Sequence, residues 1–210
     1  MKKAVITVLI VLFLDQFIKI WVKSHMEIGD SIPVLGSWFY LHFVENVGMA
    51  YGMTIGGSWG KLALSIFRIL AIGGIGYYLY TIIIKKYHSL LIISISLIFA
   101  GAIGNVLDSA FYGLIFSESG PITLATMFPD GGGYAGFLYG KVVDMFYFPM
   151  FEGIWPNWMP FVGGDYYLFF QPVFNIADAS ISIGVAILII FQKKFYTGKK
   201  TVYTEDEEEI

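Results

Sequence analysis

Five ionisable side chains stand inside apolar runs of this sequence: Asp15, Lys19, Arg68, Asp108 and Asp178. A sixth, Asp144, follows Val142 and Val143 in a stretch rich in glycine and aromatic residues. A charge surrounded by hydrocarbon is expensive, so each of the five is a candidate functional group that needs a partner. Asp15 and Lys19 are spaced i,i+4 with the acid first, the favoured order for an intrahelical ion pair. Asp108 and Asp178 have no lysine three or four residues away. Each instead follows an asparagine by three residues, Asn105 and Asn175, whose amide can orient a carboxylate on the same helix face.

Two carboxylates in one desolvated pocket cannot both ionise, so such a pair shares a proton. The ionised member can take a proton from water while the protonated one polarises a scissile carbonyl, which is the chemistry of aspartyl proteolysis. Asp108, Asp144 and Asp178 are the candidates, and residue type alone does not choose two of the three. A lone carboxylate inside a helix bundle also serves as a proton or ion relay, so a small proton- or ion-coupled transporter is the competing class. Transporter sites sit near the midplane at a repeat interface, and this sequence has no internal repeat.

The elements that would hold these groups are membrane helices. Four runs, about 4–22, 62–84, 90–111 and 174–195, are long and apolar enough for a hydrocarbon core about 30 Å thick. The first begins with Lys2-Lys3 like a secretory signal peptide, but it lacks a small-residue cleavage site and carries Asp15 and Lys19, so it is expected to be retained. Lys2-Lys3, Lys85-Lys86, and Lys193-Lys194 with Lys199-Lys200 fall on one side if four helices alternate, which makes that side cytoplasmic and puts both termini there. Outer segments 23–61 and 112–173 then hold most of the non-helical residues. From the helical rise, Asp15 lies about 17 Å and Lys19 about 23 Å along the first helix, Asp108 about 27 Å along the third, and Asp178 about 6 Å inside the outer end of the fourth. These four charges therefore converge toward the outer half of the bilayer, where Asp144 can join them.

The run Ser37–Val44, aromatic and β-branched between Gly36 and Gly48, reads as a strand or hairpin. The second outer segment, with Trp155, Trp158 and many Tyr and Phe, suits loops resting at headgroup level. The expected fold is thus membrane all-α with a small extracytoplasmic β element: a four-transmembrane-helix bundle plus outer interfacial loops, in one domain spanning 1–210.

Composition narrows the chemistry further. The chain is 57% hydrophobic and 14% charged, and its net charge of −3 reflects the acidic tail Glu205–Glu209. No basic stripe tracks a nucleic-acid backbone, so nucleic acid is excluded as a partner. Without cysteine there is no disulfide, thiolate metal site or cysteine nucleophile, and His25, His42 and His88 have no zinc-protease spacing, so neither metal nor cofactor is expected. Gly131-Gly132-Gly133 and the later Gly140-Lys141 do not form a phosphate loop, because Val142 stands where Ser or Thr is required.

Taken in order, the motifs resemble those of the lipoprotein signal peptidase (signal peptidase II) family over essentially the whole chain. Asp15-Gln16-Phe17-Ile18-Lys19 is similar to its DQxxK element, and Asn46-Val47-Gly48-Met49-Ala50-Tyr51 to NxGxAF. Gly101–Asp108 resembles GGALGNxxD, Val142–Phe146 resembles VVDF, and Phe174-Asn175-Ile176-Ala177-Asp178 resembles FNxAD. The resemblance implies an aspartic endopeptidase of the bacterial inner membrane with Asp144 and Asp178 as catalytic dyad. It implies removal of the signal peptide from diacylglyceryl-modified prolipoproteins, before the lipidated cysteine and near the extracytoplasmic face. Asp15, Lys19, Asn46, Asn105, Asp108 and Asn175 would then bind substrate or orient the site, with lipid-modified prolipoproteins and membrane lipids as partners of a monomer. Two departures stand out. Ser109 occupies the place where the family usually has arginine after the GNxxD aspartate, and the interval from Asp108 to Asp144 is much longer than the family's. Arg68, the only arginine, is expected to replace the missing cation.

Overall fold

The computed structural model describes residues 1–47, 57–169 and 172–197. The later part of the NxGxAF element (Gly48–Tyr51), Lys199-Lys200 and the acidic tail lie outside the described residues.

Helix α1 (Lys2–His25) has no internal glycine or proline and ends where Met26 turns extended, with φ −124° and ψ 143°. It leads into an antiparallel hairpin, β1 (Ser31–Leu35) and β2 (Phe39–Asn46), matching the strand signal over 37–44. Helix α2 (Gly57–Ile84) follows, then α3 (Ser89–Leu107), whose N-cap His88 accepts a bond from the Leu90 N–H at 3.2 Å. At Asp108 the helix widens into a π turn (Asp108–Tyr112) before a final turn, α4 (Gly113–Ile115). Single π turns recur at functional sites, and this one begins on a candidate residue.

Three helical stretches, Lys2–His25, Trp59–Ile84 and Ser89–Ile115, are long and apolar enough to cross a membrane. The fourth expected span is shorter. Helix α5 (Ile176–Ile190) has 15 residues, about 22 Å by the helical rise, and the chain breaks at Phe191 (φ −103°, ψ 12°) before α6 (Gln192–Thr197).

Helix α3 is the hub of the bundle, packed against α1, α2 and α5. Close approach is possible because small residues line it, as helix contacts in lipid require. A Cβ on Gly104 would fall 2.6 Å from Asp15 Oδ2 and 3.2 Å from the Ala177 Cβ, so alanine there would push α1 and α5 off α3.

A third strand, β3 (Val142–Tyr147), was not foreseen as a strand. It pairs antiparallel with β2 to complete a sheet of order β1-β2-β3, with Val44 opposite Asp144 and Glu45 opposite Val143. Strands alternate their side chains, so Val143 and Met145 point into a buried cluster with Val22, Met26, Phe43, Tyr112 and Phe116, and Asp144 points the other way. A separate hairpin, β4 (Phe151–Ile154) with β5 (Tyr166–Phe169), rises from the segment between β3 and α5.

Candidate active site

The sequence-derived residues meet at one end of the bundle, in two layers. The lower layer is an ion cluster around Lys19 on α1. Its ammonium lies 2.9 Å from Asp15 Oδ2, 2.8 Å from Asp108 Oδ2 and 3.0 Å from Asn105 Oδ1. An ammonium has three N–H groups, so these acceptors satisfy it completely. All three charged side chains are buried. The carboxylates are satisfied as well: Asp15 Oδ1 accepts the Ala177 N–H at 2.9 Å, and Asp108 accepts Gln16 Nε2 at 2.9 Å and the Val143 N–H at 3.2 Å. The layer thus ties α1 to α5 through Asp15, and α3 to β3 through Asp108.

The upper layer holds Asp144 and Asp178. Asp144 comes from the middle of β3 and is 4% exposed, whereas Asp178 is half-buried in the first turn of α5. Asn175 joins them. As N-cap of α5 its side-chain oxygen accepts the Asp178 N–H at 2.9 Å, while its amide donates to Asp144 Oδ1 at 2.7 Å. The N-cap role explains the local sequence, since Asn satisfies an orphan N–H and an acid in the first turn suits the helix dipole. Asn46, at the end of β2, donates to Asp144 Oδ2 at 3.3 Å.

The asparagines do not serve the carboxylates three residues ahead of them, as the helix-face spacing suggests. Asn105 crosses to Asp178 Oδ1 at 2.8 Å, and Asn175 crosses to Asp144. The reason is the lower layer: Asp108 is already occupied by Lys19 and Gln16, which leaves the Asn105 amide for the acid on the neighbouring helix. Asn105 also accepts from Lys19 and, at 3.1 Å, from Asn175, so it is the link between layers.

Asp144 is pushed up to about 7, first by burial and then by the negative charge of Asp178, against the opposing pull of Asn46, Lys19 and Asn175. A carboxyl near 7 is available in both protonation states at neutral pH. Arg68 on α2 interacts electrostatically with both Asp178 and Asp144. Position 109, where the resemblance would put arginine, is covered. Ser109 is buried, its hydroxyl donates to the Asn105 carbonyl, and its own carbonyl accepts the Gly140 N–H at 2.8 Å.

The structure therefore brings together Asp15, Lys19, Asn46, Asn105, Asp108, Asp144, Asn175 and Asp178, with Arg68 within electrostatic reach. Among the described residues no group of three or more His, Cys, Asp or Glu is placed to hold a metal. Sequence reasoning passed over Gln16 and Tyr112, whose hydroxyl donates to Gln16 Oε1 at 3.2 Å. Gln16 stood inside a quoted motif and was legible. Tyr112 was not, since only the π turn aims it at the cluster.

The chain is similar to known proteins along most of its length. A family model described as signal peptidase (SPase) II matches residues 7–193. The lipoprotein signal peptidase of Porphyromonas gingivalis is 50% identical over 97% of this chain and 92% of its own length. That of Amoebophilus asiaticus is 37% identical over 87% of this chain and 74% of its own. The fold is similar to a solved bacterial membrane enzyme determined by the in meso method at 1.9 Å resolution, with TM-score 0.59 and 27% identity over 90% of this chain and 92% of that one.

Proposed function

We propose, from the premise that this chain belongs to the signal peptidase II family, that Asp144 and Asp178 are its catalytic pair. The protein is a membrane peptidase that removes signal peptides from lipoproteins, and the transporter alternative falls with that assignment. One observation carries the choice of pair: the carboxylates of Asp144 and Asp178 accept only side-chain amides among the contacts described, from Asn175 and Asn46 and from Asn105, whereas Asp15 and Asp108 are each bound directly to Lys19. An ammonium in contact with a carboxylate ties it in place and favours its ionised form. Asp144, buried and with its carboxyl near 7, supplies the protonated member that polarises the scissile carbonyl. Asp178, in the half-exposed position, activates the attacking water.

The substrate we propose is a diacylglyceryl-modified prolipoprotein, cut just before its lipidated cysteine. The enzyme works as a monomer in the bacterial inner membrane, with the site near the extracytoplasmic face. Lysine placement supports this orientation. Lys2-Lys3, Lys85-Lys86 and Lys193-Lys194 all lie at helix ends away from the sheet, and Lys3 donates to Ser89 at 3.1 Å, joining the ends of α1 and α3 there. In this reading α5 and α6 together make the fourth crossing, about 33 Å from 176 to 197. Single cysteines in this cysteine-free chain test it: an impermeant reagent on intact cells is expected to label Ile122→Cys and spare Ser89→Cys, and the reverse pattern inverts the topology.

Arg68 supplies the cation that Ser109 cannot, acting on the substrate or the dyad from α2. The experiment for the whole assignment is incubation of the purified protein with a lipidated prolipoprotein and mass determination of the products. Asp144→Asn and Asp178→Asn are expected to yield intact substrate. Turnover by either variant would return Asp108 to candidacy.

A further inference from the structure

Beneath the sheet, on the face opposite Asp144, lies a second buried ion cluster outside every motif quoted above. Lys23, in the last turn of α1, is fully buried and forms an ion pair with Glu45 of β2. It also donates to the Ser119 hydroxyl at 2.7 Å and stands over the rings of Phe116 and Tyr134, 5.4 and 5.0 Å from their centroids. Lys141, the residue before β3, lies 3.1 Å from the other Glu45 oxygen and 2.5 Å from Glu118. Its contact to Glu45 is ionic and lacks hydrogen-bond alignment, so charge alone holds that oxygen. Burial of so many charges stabilises little by itself, because desolvation offsets attraction. The arrangement calls for another explanation.

Position supplies one. Glu45 is opposite Val143 in the ladder, one residue from Asn46 on its own strand and one from Asp144 on the other. Lys141 is three residues from Asp144 and is pinned through its backbone too, its N–H donating to the Tyr134 hydroxyl at 2.7 Å. The residues before it are also fixed: Gly140 to Ser109, and the carbonyls of Leu138 and Tyr139 to Ser65 and Lys61 of α2. The long segment between Asp108 and Asp144 thus returns to the sheet along a fully anchored path that ends at Glu45.

We propose that Glu45, clamped between Lys23 and Lys141, is a positioning residue for the reaction: it locks β2 against β3 and so holds the Asn46 amide on Asp144. The inference rests on the dyad reading above. Its chemistry is an acid held ionised by two lysines, with Glu118 at the outer edge. Asp178, Lys19 and Arg68 are the charges that act on Asp144 from the other elements.

Glu45→Gln removes the charge and keeps the shape. In the folded variant kcat is expected to fall about tenfold with KM for the lipidated substrate little changed, as for a small misplacement of a reacting group. The Asn46 bond favours ionised Asp144, so the limb of the pH profile that Asp144 controls is expected to move about half a pH unit upward. A merely structural role would leave that limb in place. If Glu45→Gln does not fold, Lys141→Met decides, because it keeps the Lys23–Glu45 pair and loosens only the β3 side. A folded variant with wild-type kcat and pH profile overturns the proposal. Asp144→Asn run alongside separates the two readings: activity there overturns the dyad and the clamp with it, whereas an inactive Asp144→Asn beside an unchanged Glu45 variant overturns the clamp alone.

Discussion

The two layers of carboxylates at the end of this bundle are built from the same residue types and behave in opposite ways. Below, Asp15 and Asp108 share one lysine whose three hydrogens are all used. Above, Asp144 and Asp178 receive side-chain amides, with no ammonium in contact among the described residues. A full charge on the partner favours the ionised form of an acid and ties its position to that partner. Amide donors orient an acid and leave its proton free to move. The difference between scaffold and chemistry here therefore lies in what faces each carboxylate. Distance along the bundle does not decide it.

The strongest way to break this contrast is to neutralise each upper acid. Asp144→Asn and Asp178→Asn are each expected to reduce cleavage by about 10³-fold or more, and the double variant should be scarcely worse, because paired groups act as a unit. Product masses from a lipidated prolipoprotein report it, and additive losses would show two independent roles. In the lower layer the expected damage is to folding. Lys19→Met leaves two buried carboxylates without their cation and should lower stability by about 3–5 kcal/mol, read as thermal unfolding in detergent. Wild-type unfolding would mean the lower acids do not depend on Lys19. Asp108→Asn should follow the same pattern, with stability or binding weakened more than chemistry.

Proton linkage sharpens the comparison further. Asp144 titrates near 7 in the folded protein against its ordinary 3.8, so the folded state binds the proton more tightly. Stability from this group is therefore complete at low pH, declines as pH rises through the interval, and is lost above it. Asp144→Asn should consequently stabilise the protein at pH 8, by roughly 4 kcal/mol, and leave it nearly unchanged at pH 4. No gain at pH 8 would place Asp144 in a charge-compensated setting like the lower layer. The smallest effect expected is at Arg68. Arg68→Lys keeps the charge and loses the planar fork, so activity should drop about tenfold; full activity would reduce Arg68 to a side chain reaching for the interface.

Much of this was legible beforehand. Charges inside apolar runs pointed to the cluster that the structure brings together, since lipid leaves few other reasons for them, and the order of short motifs suggested the pair proposed above. Helices α1, α2 and α3 follow from hydropathy with margins of a few residues. Three things were hidden. The break at Phe191 shortens the last helix without a proline or glycine to announce it. Strand β3 carries the pairing partner of Asn46 from 98 residues away, a separation at which local patterning has no information. The crossed asparagines could not be read from spacing, because their partners depend on which acids Lys19 has already taken. Lys23, Glu45 and Lys141 escaped for a similar reason: each looks like an ordinary surface charge until the segment between Asp108 and Asp144 folds over them.

The Asp15–Lys19 contact also bears on how the chain is made. Helix α1 is made before α3, and Lys19 then has no Asp108 to meet, since that residue is 89 positions further on. At about 5–20 residues per second the wait is roughly 5–20 s. During it the i,i+4 carboxylate on the same helix is the counter-ion that Lys19 carries with it. Asp15→Asn is therefore expected to slow membrane insertion of the newly made chain, read as the rate at which pulse-labelled protein becomes resistant to carbonate extraction, even where the finished bundle tolerates the change.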